Sequence, residues 1–410
     1  MALKVLYIHL IGAFGGSSRS LFEAVRAMPE GEVEAYFVTQ RGSVTKFFGQ
    51  IAVDLVEARG LTQFDHTRYG HYRGVRWLVA LRELLYLPAT IGAMVRARQQ
   101  WGDVDLIHLN EFTGLIPLLI AKRLFRAPAV VHVRSVANTN ERSLRTRWVN
   151  RVLREKASAV IAIDENVRAS LPAVLPVDVI HNGFTPSEER EGGNHELQKR
   201  LDALRPTSYK VGFVGNLLAV KGLYDLVEAA RLVKESGLDV EFVVVGDNAR
   251  NLNGVSGTVL KALGLAHDVR VDLTQKIAEY GLESTFHLLG HTTDIHRVYQ
   301  SIDLLCFPSH YDAPGRPIFE AAFSGVPSIV AVEHPRPDTL IHGETGLAVP
   351  AKAPRQLADA IIAMASDRER SRRMGEAARA MALRNFDVPS NSNQLLSVYR
   401  RCTSSLAKPR

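Results

Sequence analysis

At 410 residues, 46% hydrophobic and 23% charged, the chain has the makeup of a globular protein long enough for two domains. With only two cysteines, a disordered chain and a disulfide framework are both excluded. All of the net charge of +7 falls in residues 1–185, with 23 Lys and Arg against 16 Asp and Glu, while the remainder balances at 27 and 27. The excess fits attraction to anionic lipid, attraction to an acidic substrate or an ordinary solvated surface. Nucleic acid is excluded as a partner, because no recognition helix, zinc ligand set or stacking aromatics accompany the charge.

Lys4 to Leu10 reads as a strand with no long apolar run before it, so no secretory signal is expected. A glycine cluster, Gly12-Ala13-Phe14-Gly15-Gly16-Ser17-Ser18-Arg19, then opens a helix over Ser17 to Met28. Gly15 and Gly16 would let backbone N–H groups come close to a phosphate or an acceptor; the alternative is a plain tight turn. The dinucleotide fingerprint fails, since there is no G-x-G-x-x-G and no acid closes the second strand, Glu34 to Val38.

His66 to Trp77 is basic and aromatic and precedes an apolar helix, Leu78 to Leu87. It reads as a surface resting on anionic membrane, or as a basic surface beside a core helix. The longest apolar segment, Leu84 to Val95, is interrupted by Pro88, so no membrane-spanning helix of about 20 residues is expected. Strands follow at Leu106 to Leu109, Ala129 to Val133, Ala159 to Ile163 and Asp178 to Ile180, with helical patterns between most of them. Residues 186–207 read as a linker.

Alternation restarts in the second half, with strands at Val211 to Val214, Glu241 to Val245, Phe286 to Leu289, Leu304 to Phe307, Ser328 to Ala331 and Leu347 to Val349. Polar helices fill Ala353 to Ala382, and a helix after Pro389 is expected to pack back on the first domain. Cys306 falls within a strand and reads as a buried free thiol, which fits a reducing cytosol. The fold class is α/β, with two doubly wound domains at residues 1–185 and 208–389 facing a central cleft. Ligands in such sheets sit beyond the carboxyl ends of the strands.

Two further clusters carry chemistry. In Gly212 to Leu223, Gly215 and Asn216 follow a strand and Lys221 stands at a helix entrance, where it can meet phosphate as a point charge; a surface lysine is the alternative. In Pro308 to Pro327, a turn holds Asp312, Gly315 and Arg316, a helix starts on Pro317, and Glu320 sits one turn in. Free N–H groups at such a helix start suit phosphate, and a carboxylate inside it accepts hydroxyls. Phosphate beside hydroxyls points to a nucleotide or nucleotide sugar. Because the helix is mostly apolar, Glu320 reads as buried, with ligand hydroxyls as its partners.

Gly215 to Gly222 resembles G-R-L-x-x-x-K-G, Ile302-Asp303 with Pro308-Ser309 resembles A-D-x-x-x-x-P-S, and Asp312 to Glu320 resembles E-x7-E. Together with Gly343 to Pro350 and looser matches in the first half, these motifs are similar to the retaining GT-B glycosyltransferases of family 4. The resemblance implies a metal-independent enzyme with no bound cofactor; cysteine usage and the basic aromatic segment add the expectation that it is cytoplasmic and peripheral on the inner face of the membrane. It would move a sugar from a UDP- or GDP-sugar to a glycan or lipid-linked acceptor, in bacterial polysaccharide or glycoconjugate synthesis. It further implies that Glu320 binds the donor ribose and Lys221 the diphosphate. Gly315, Ile318 and Phe319 would line phosphate and sugar, and Gly16 would approach the diphosphate from the first domain.

Four departures mark this chain: Asp312 for the first Glu of E-x7-E, Pro314 in the loop, Asn216 where an Arg is usual, and Arg134 where a strand-end His is common. Arg316 is expected to replace the cation missing at Asn216. His132 and Arg134 should share one strand face. The competing readings are a sugar-nucleotide epimerase of the same fold, with Asp103, Asp105 and Glu111 as candidate acids, and a silent binding module.

Overall fold

The computed structural model describes residues 2–68, 70, 77–184, 195–247, 268–292, 294–311 and 314–404. The departure at Asp312 therefore lies outside the described residues, as does most of the basic segment between Tyr69 and Arg76. The chain divides into two compact units, Met1–Thr185 with Asn385–Arg410, and Pro186–Arg384.

The first unit runs β1 (Leu3–His9), α1 (Gly16–Arg26), β2 (Val33–Gln40), α2 (Val44–Phe48), β3 (Asp54–Ala58), α3 (Trp77–Leu85), α4 (Leu87–Trp101), β4 (Leu106–Leu109), α5 (Leu115–Phe125), β5 (Ala129–Val133), α6 (Leu144–Lys156), β6 (Ala159–Ala162), α7 (Glu165–Ala169) and β7 (Val177–Val179). The sheet is all parallel in the order β3-β2-β1-β4-β5-β6-β7. Its direction of winding reverses between β1 and β4. The central strands are apolar on both faces because helices cover both. Edge strand β3 escapes the sequence reading: it carries Asp54 and Glu57 and alternates between exposed and buried, so it resembles a polar connection.

The second unit runs α8 (His195–Asp202), β8 (Tyr209–Val214), α9 (Leu223–Glu235), β9 (Val240–Val245), α10 (Val269–Glu279), β10 (Phe286–Gly290), α11 (Ile295–Gln300), β11 (Leu304–Phe307), α12 (Arg316–Phe323), β12 (Ser328–Ala331), β13 (Gly346–Val349), α13 (Pro354–Ser366) and α14 (Arg368–Asn385). This sheet is also parallel, in the order β10-β9-β8-β11-β12-β13, and reverses between β8 and β11. Part of the expected linker is a packed element: α8 buries Leu197 and Leu201, and Arg200 donates to the carbonyls of Leu288 and Leu289 at 2.8 and 3.0 Å. Helix α12 starts at Arg316, one residue before Pro317.

Helix α15 (Val388–Ser404) belongs to the first unit. It places Leu395, Val398, Tyr399 and Cys402 in that core, and the Tyr399 hydroxyl meets His108 Nδ1 at 2.7 Å. Both cysteines are buried free thiols.

The expectation of no helix able to span a membrane needs correcting. Trp77–Trp101 is long and apolar enough by length and composition, and it is only 22% buried. It holds two successive helices that meet at Tyr86, and Pro88 is tolerated in the first turn of α4, where its missing N–H would have had no partner. Within the unit, α4 buries Thr90, Ala93, Met94 and Ala97 and packs on β3 and α5. Helix α3 is inverted: its one buried side chain is Glu83, which accepts from Gln63 N–H at 3.0 Å. Trp77, Leu78, Leu81, Leu84 and Leu85 are all more than half exposed.

All three tryptophans (Trp77, Trp101 and Trp148) lie in the first unit, so their fluorescence reports its unfolding alone. Leu395→Ala, at a site 1% exposed, is expected to destabilise that unit by about 2–4 kcal/mol in urea titrations followed by tryptophan emission.

Candidate functional site

In the second unit, the loops leaving β8 and β11 meet where the sheet reverses, the usual ligand edge of such a sheet. Gly222 has φ +75°, and a Cβ there would lie 1.8 Å from the Pro308 carbonyl oxygen, so only glycine permits the two loops to cross. His310 N–H donates to the Val220 carbonyl at 2.9 Å, and His310 Nε2 pairs with Asp225 Oδ2 at 2.7 Å. These contacts latch the loop carrying Lys221 to the loop that leads into α12.

Lys221 ends a short 3-10 turn, Ala219–Lys221. Its ammonium lies 5.0 Å from the Phe307 ring centroid and 5.7 Å from that of Tyr311. No carboxylate among the described residues pairs with it, and burial pushes its pKa down. A desolvated ammonium held by ring faces remains ready for a stronger anion. Gly315 serves this arrangement in an unexpected way. A Cβ there would lie 2.4 Å from the Phe307 ring, so the glycine makes room for the ring that carries Lys221.

Glu320 is buried, as the apolar helix implied, but its partners come from the protein itself. Tyr299 Oη donates to Oε2 at 2.8 Å and Arg316 Nε donates to Oε1 at 2.7 Å. A carboxylate this deep needs partners as soon as the chain folds, before any ligand arrives. Each oxygen still has a lone pair for a further donor. Arg316 thus turns back along its own helix. The N–H of Ile318 is also engaged, with the Gly315 carbonyl at 3.0 Å, so the helix start is less open than expected. Gly215, with φ +152°, ends β8 and sits beside exposed Asn216.

The first unit builds a second cluster at the ends of β1, β4 and β5. Gly12 proves structural, since a Cβ there would lie 2.4 Å from the Arg41 carbonyl oxygen, whereas the space above Gly15 and Gly16 is open. The Gly15 N–H caps α1 through Ser18 Oγ at 2.7 Å. Arg134 donates to Asn110 Oδ1 and Asn182 Oδ1, each at 2.5 Å, and approaches His132 Nδ1 at 3.3 Å, so His132 and Arg134 do share a face. Burial first, and then the Arg134 charge, hold His9 and His108 down to about 3; the same causes lower His132.

Glu111 is the residue that motif reading undervalued. It caps the turn Phe112–Gly114 with φ 143° and ψ 130°, a backbone conformation that costs a non-glycine residue about 1–3 kcal/mol. Oε1 accepts from Phe112 N–H at 2.9 Å and Oε2 from Ser135 Oγ at 2.8 Å. Burial raises its pKa to about 7, against the lowering effect of those bonds and of Arg134. The only sequence signal was an acid two residues past the end of a buried strand. Asp103 and Asp105, the other two acids of the epimerase reading, lie before β4 at the opposite edge of the sheet, bound to Arg98 and to Lys4 N–H.

Two parallel α/β sheets, each with a polar cluster where its winding reverses, define the class of GT-B glycosyltransferase folds. Anabaena Alr3699/HepE, solved in complex with UDP and glucose, matches 97% of this chain and 100% of its own with TM-score 0.73 at 22% identity. A family model for glycosyl transferases group 1 matches residues 195–381, and one for Glycosyltransferase Family 4 matches residues 14–188. The D-inositol 3-phosphate glycosyltransferase of Nocardia farcinica is 30% identical over 322 residues, covering 74% of this chain and 68% of that protein. The alpha-D-kanosaminyltransferase of Streptomyces kanamyceticus is 28% identical over 62% of this chain, and the match spans only 63% of that relative's length. The chain belongs to the group 1, family 4 glycosyltransferases.

Two stability predictions follow from these loops and rings. Gly222→Ala should destabilise the second unit by at least about 2 kcal/mol, read by circular dichroism in urea, because it adds left-handed strain to a backbone clash. The three histidines have folded pKa values below the unfolded 6.5, so the unfolded state binds more protons as pH falls from 6.5. The histidine contribution to first-unit stability should therefore be full above pH 6.5 and fall below it, by up to about 1.4 kcal/mol per pH unit per histidine. His132→Asn should flatten that slope in tryptophan-monitored unfolding.

Proposed function

We propose that the chain transfers a sugar from a nucleotide-sugar donor, UDP- or GDP-linked, with retention of configuration and without a metal. The acceptor would be a glycan or a lipid-linked sugar in bacterial glycoconjugate synthesis. One observation carries this reading: desolvated Lys221, with no carboxylate partner among the described residues, stands on one loop, and buried Glu320, with lone pairs to spare, stands on the helix entered from the loop latched to it at the ligand edge. Lys221 meets the diphosphate and stabilises the charge that builds on it as it leaves. Glu320 accepts the ribose hydroxyls, and Gly315, Ile318 and Phe319 line the phosphates and sugar. Arg316 orients Glu320 and brings a second cation near the phosphates, in place of an arginine at Asn216. Gly15, Gly16 and Arg134 are the first unit's candidates for contact with substrate. UDP is the nucleotide bound in the solved Anabaena neighbour, which supports the donor class.

The acceptor reading draws on α3. Its apolar stripe points outward, and α6 exposes Arg147, Arg151, Arg154 and Lys156 beside half-exposed Trp148. The segment around Thr62 to Asp65 ties both helices, through Thr62 to the Glu83 carbonyl at 3.0 Å and through Arg145 to the Asp65 carbonyl at 3.0 Å. Apolar side chains next to arginines suit the interface of an anionic membrane, where lipid-linked sugars reside.

A thermal-shift series with UDP-, GDP-, ADP- and CDP-sugars tests the donor; no shift with any of them rejects the reading. Lys221→Ala should weaken nucleotide binding about 10–100-fold, as expected for a lost charge-assisted bond, and a chelator should leave turnover intact. Paired Leu81→Asp and Leu85→Asp changes should abolish co-sedimentation with phosphatidylglycerol vesicles and leave nucleotide binding unchanged. If the wild type does not bind such vesicles at physiological salt, the membrane contact is refuted.

A further inference from the structure

We propose that the first unit carries a small-molecule site of its own: the cavity where the turn after β4 meets helices α5 and α6 takes a compact neutral ring bearing a hydroxyl group, a phenol being the simplest case, with the hydroxyl on His66. The inference goes beyond the donor reading above and does not depend on it.

The cavity measures about 190 Å³. Phe64, Phe112, Leu115, Ile116 and Val149 give it an apolar lining. A void of about 150 Å³ with such walls holds benzene, so a six-membered ring with a small substituent is the size that fits. Trp148 also lines the cavity and is 37% exposed, so a ligand can enter beside that ring. The turn Phe112–Gly114 follows β4, which puts the cavity at the carboxyl edge of the first sheet, the edge where doubly wound sheets bind ligands.

His66 is the second observation. It lines the cavity, is 3% exposed, and has no hydrogen-bond partner for either Nδ1 or Nε2 among the described residues. Buried polar atoms are normally met, because one without a partner forfeits the bond it made to water. Packing alone would not select an imidazole here. The ring stands nearly at right angles to Phe112, with centroids 6.3 Å apart, a contact that an apolar side chain makes without that loss.

The backbone that carries the ring is tied down on three sides. Phe64 N–H donates to the Thr113 carbonyl at 2.9 Å, Asn138 N–H to the His66 carbonyl at 3.0 Å, and Arg145 to the Asp65 carbonyl at 3.0 Å. Burial first, and then the Arg145 charge, lower the His66 pKa to about 4, against the opposing effect of Asp65. At pH 7 the ring is therefore neutral, with one N–H and one bare nitrogen. A hydroxyl can answer either of them. A carboxylate could only accept, an ammonium could only donate, and each would lose its hydration among apolar walls.

The test titrates the full chain with 4-fluorophenol and 4-fluorotoluene, probes of matching shape, followed by fluorine NMR. The wild type should bind both. His66→Leu, of similar volume, should weaken the phenol by roughly tenfold relative to the toluene. Ile116→Trp, which fills the cavity and leaves His66 in place, should lose both probes. Without any ligand, His66→Leu should melt no lower than the wild type, because it removes two polar atoms that lack partners. A drop of several degrees would mean that the imidazole serves the fold through water, and overturns the proposal. Failure of the wild type to bind the phenol, an unchanged phenol-to-toluene ratio in His66→Leu, or binding retained in Ile116→Trp overturns it equally.

Two sources share this chemistry, the aglycone of an acceptor and a separate effector. Transfer to 4-hydroxyphenyl glucoside in preference to phenyl glucoside, with the preference lost in His66→Leu, assigns the acceptor. Donor hydrolysis altered by 4-fluorophenol without such a preference assigns the effector. If the wild type binds the phenol but no nucleotide, the transferase reading fails and this site stands.

Discussion

The crossing of Gly222 and Pro308 is the constraint on which the second unit's site depends. Two loops from adjacent strands approach so closely that no side chain fits between their backbones. Once they cross, the residue before the glycine is Lys221, and the residues flanking the proline are Phe307 and, two positions on, His310. The cation, the ring beneath it and the imidazole that pins the loops follow from one backbone contact. Gly315 extends the same logic, since its missing side chain lets the Phe307 ring lie where Lys221 can rest on it. Glycines act here as spacers between protein groups at least as much as openings for a ligand.

The two units treat buried charge differently. In the second, Glu320 is satisfied by Tyr299 and Arg316 while Lys221, among the described residues, meets only aromatic faces, so the unmet electrostatic demand is for an anion. In the first, Arg134 donates to two amide oxygens, and Glu111 accepts from Phe112 N–H and Ser135 Oγ in a strained backbone, with burial raising its pKa. Helix α3 shows the same economy at the surface: folding buries its glutamate and leaves its leucines to solvent, the reverse of what core packing would select.

Much of the fold was legible in the chain. Parallel strands buried on both faces are near-continuous apolar runs, so Leu106–Leu109, Ala129–Val133, Leu304–Phe307 and Ser328–Ala331 declare themselves by composition and length. The strand-to-helix turns carrying Gly15, Gly215 and Gly315 are local, and so are the motifs that contain Lys221 and Glu320. Edge strand β3 was not legible, because a strand half open to water carries the polarity of a loop. Nor was the direction of α3, since an apolar helix has the same sequence whether its stripe faces a core or a membrane.

What the sequence determined by itself is the class: alternating elements, glycine turns and the family motifs, each set by residues a few positions apart. What only the tertiary structure decided are the partnerships. Tyr299 on Glu320, Asp225 on His310, Ser135 on Glu111 and Tyr399 on His108 join residues from separate elements, tens to hundreds of positions apart. Local pattern fixes which residues can form an element. Which carboxylate is neutralised, which cation is left over and which backbone is strained depend on packing between elements, which no short window of sequence contains.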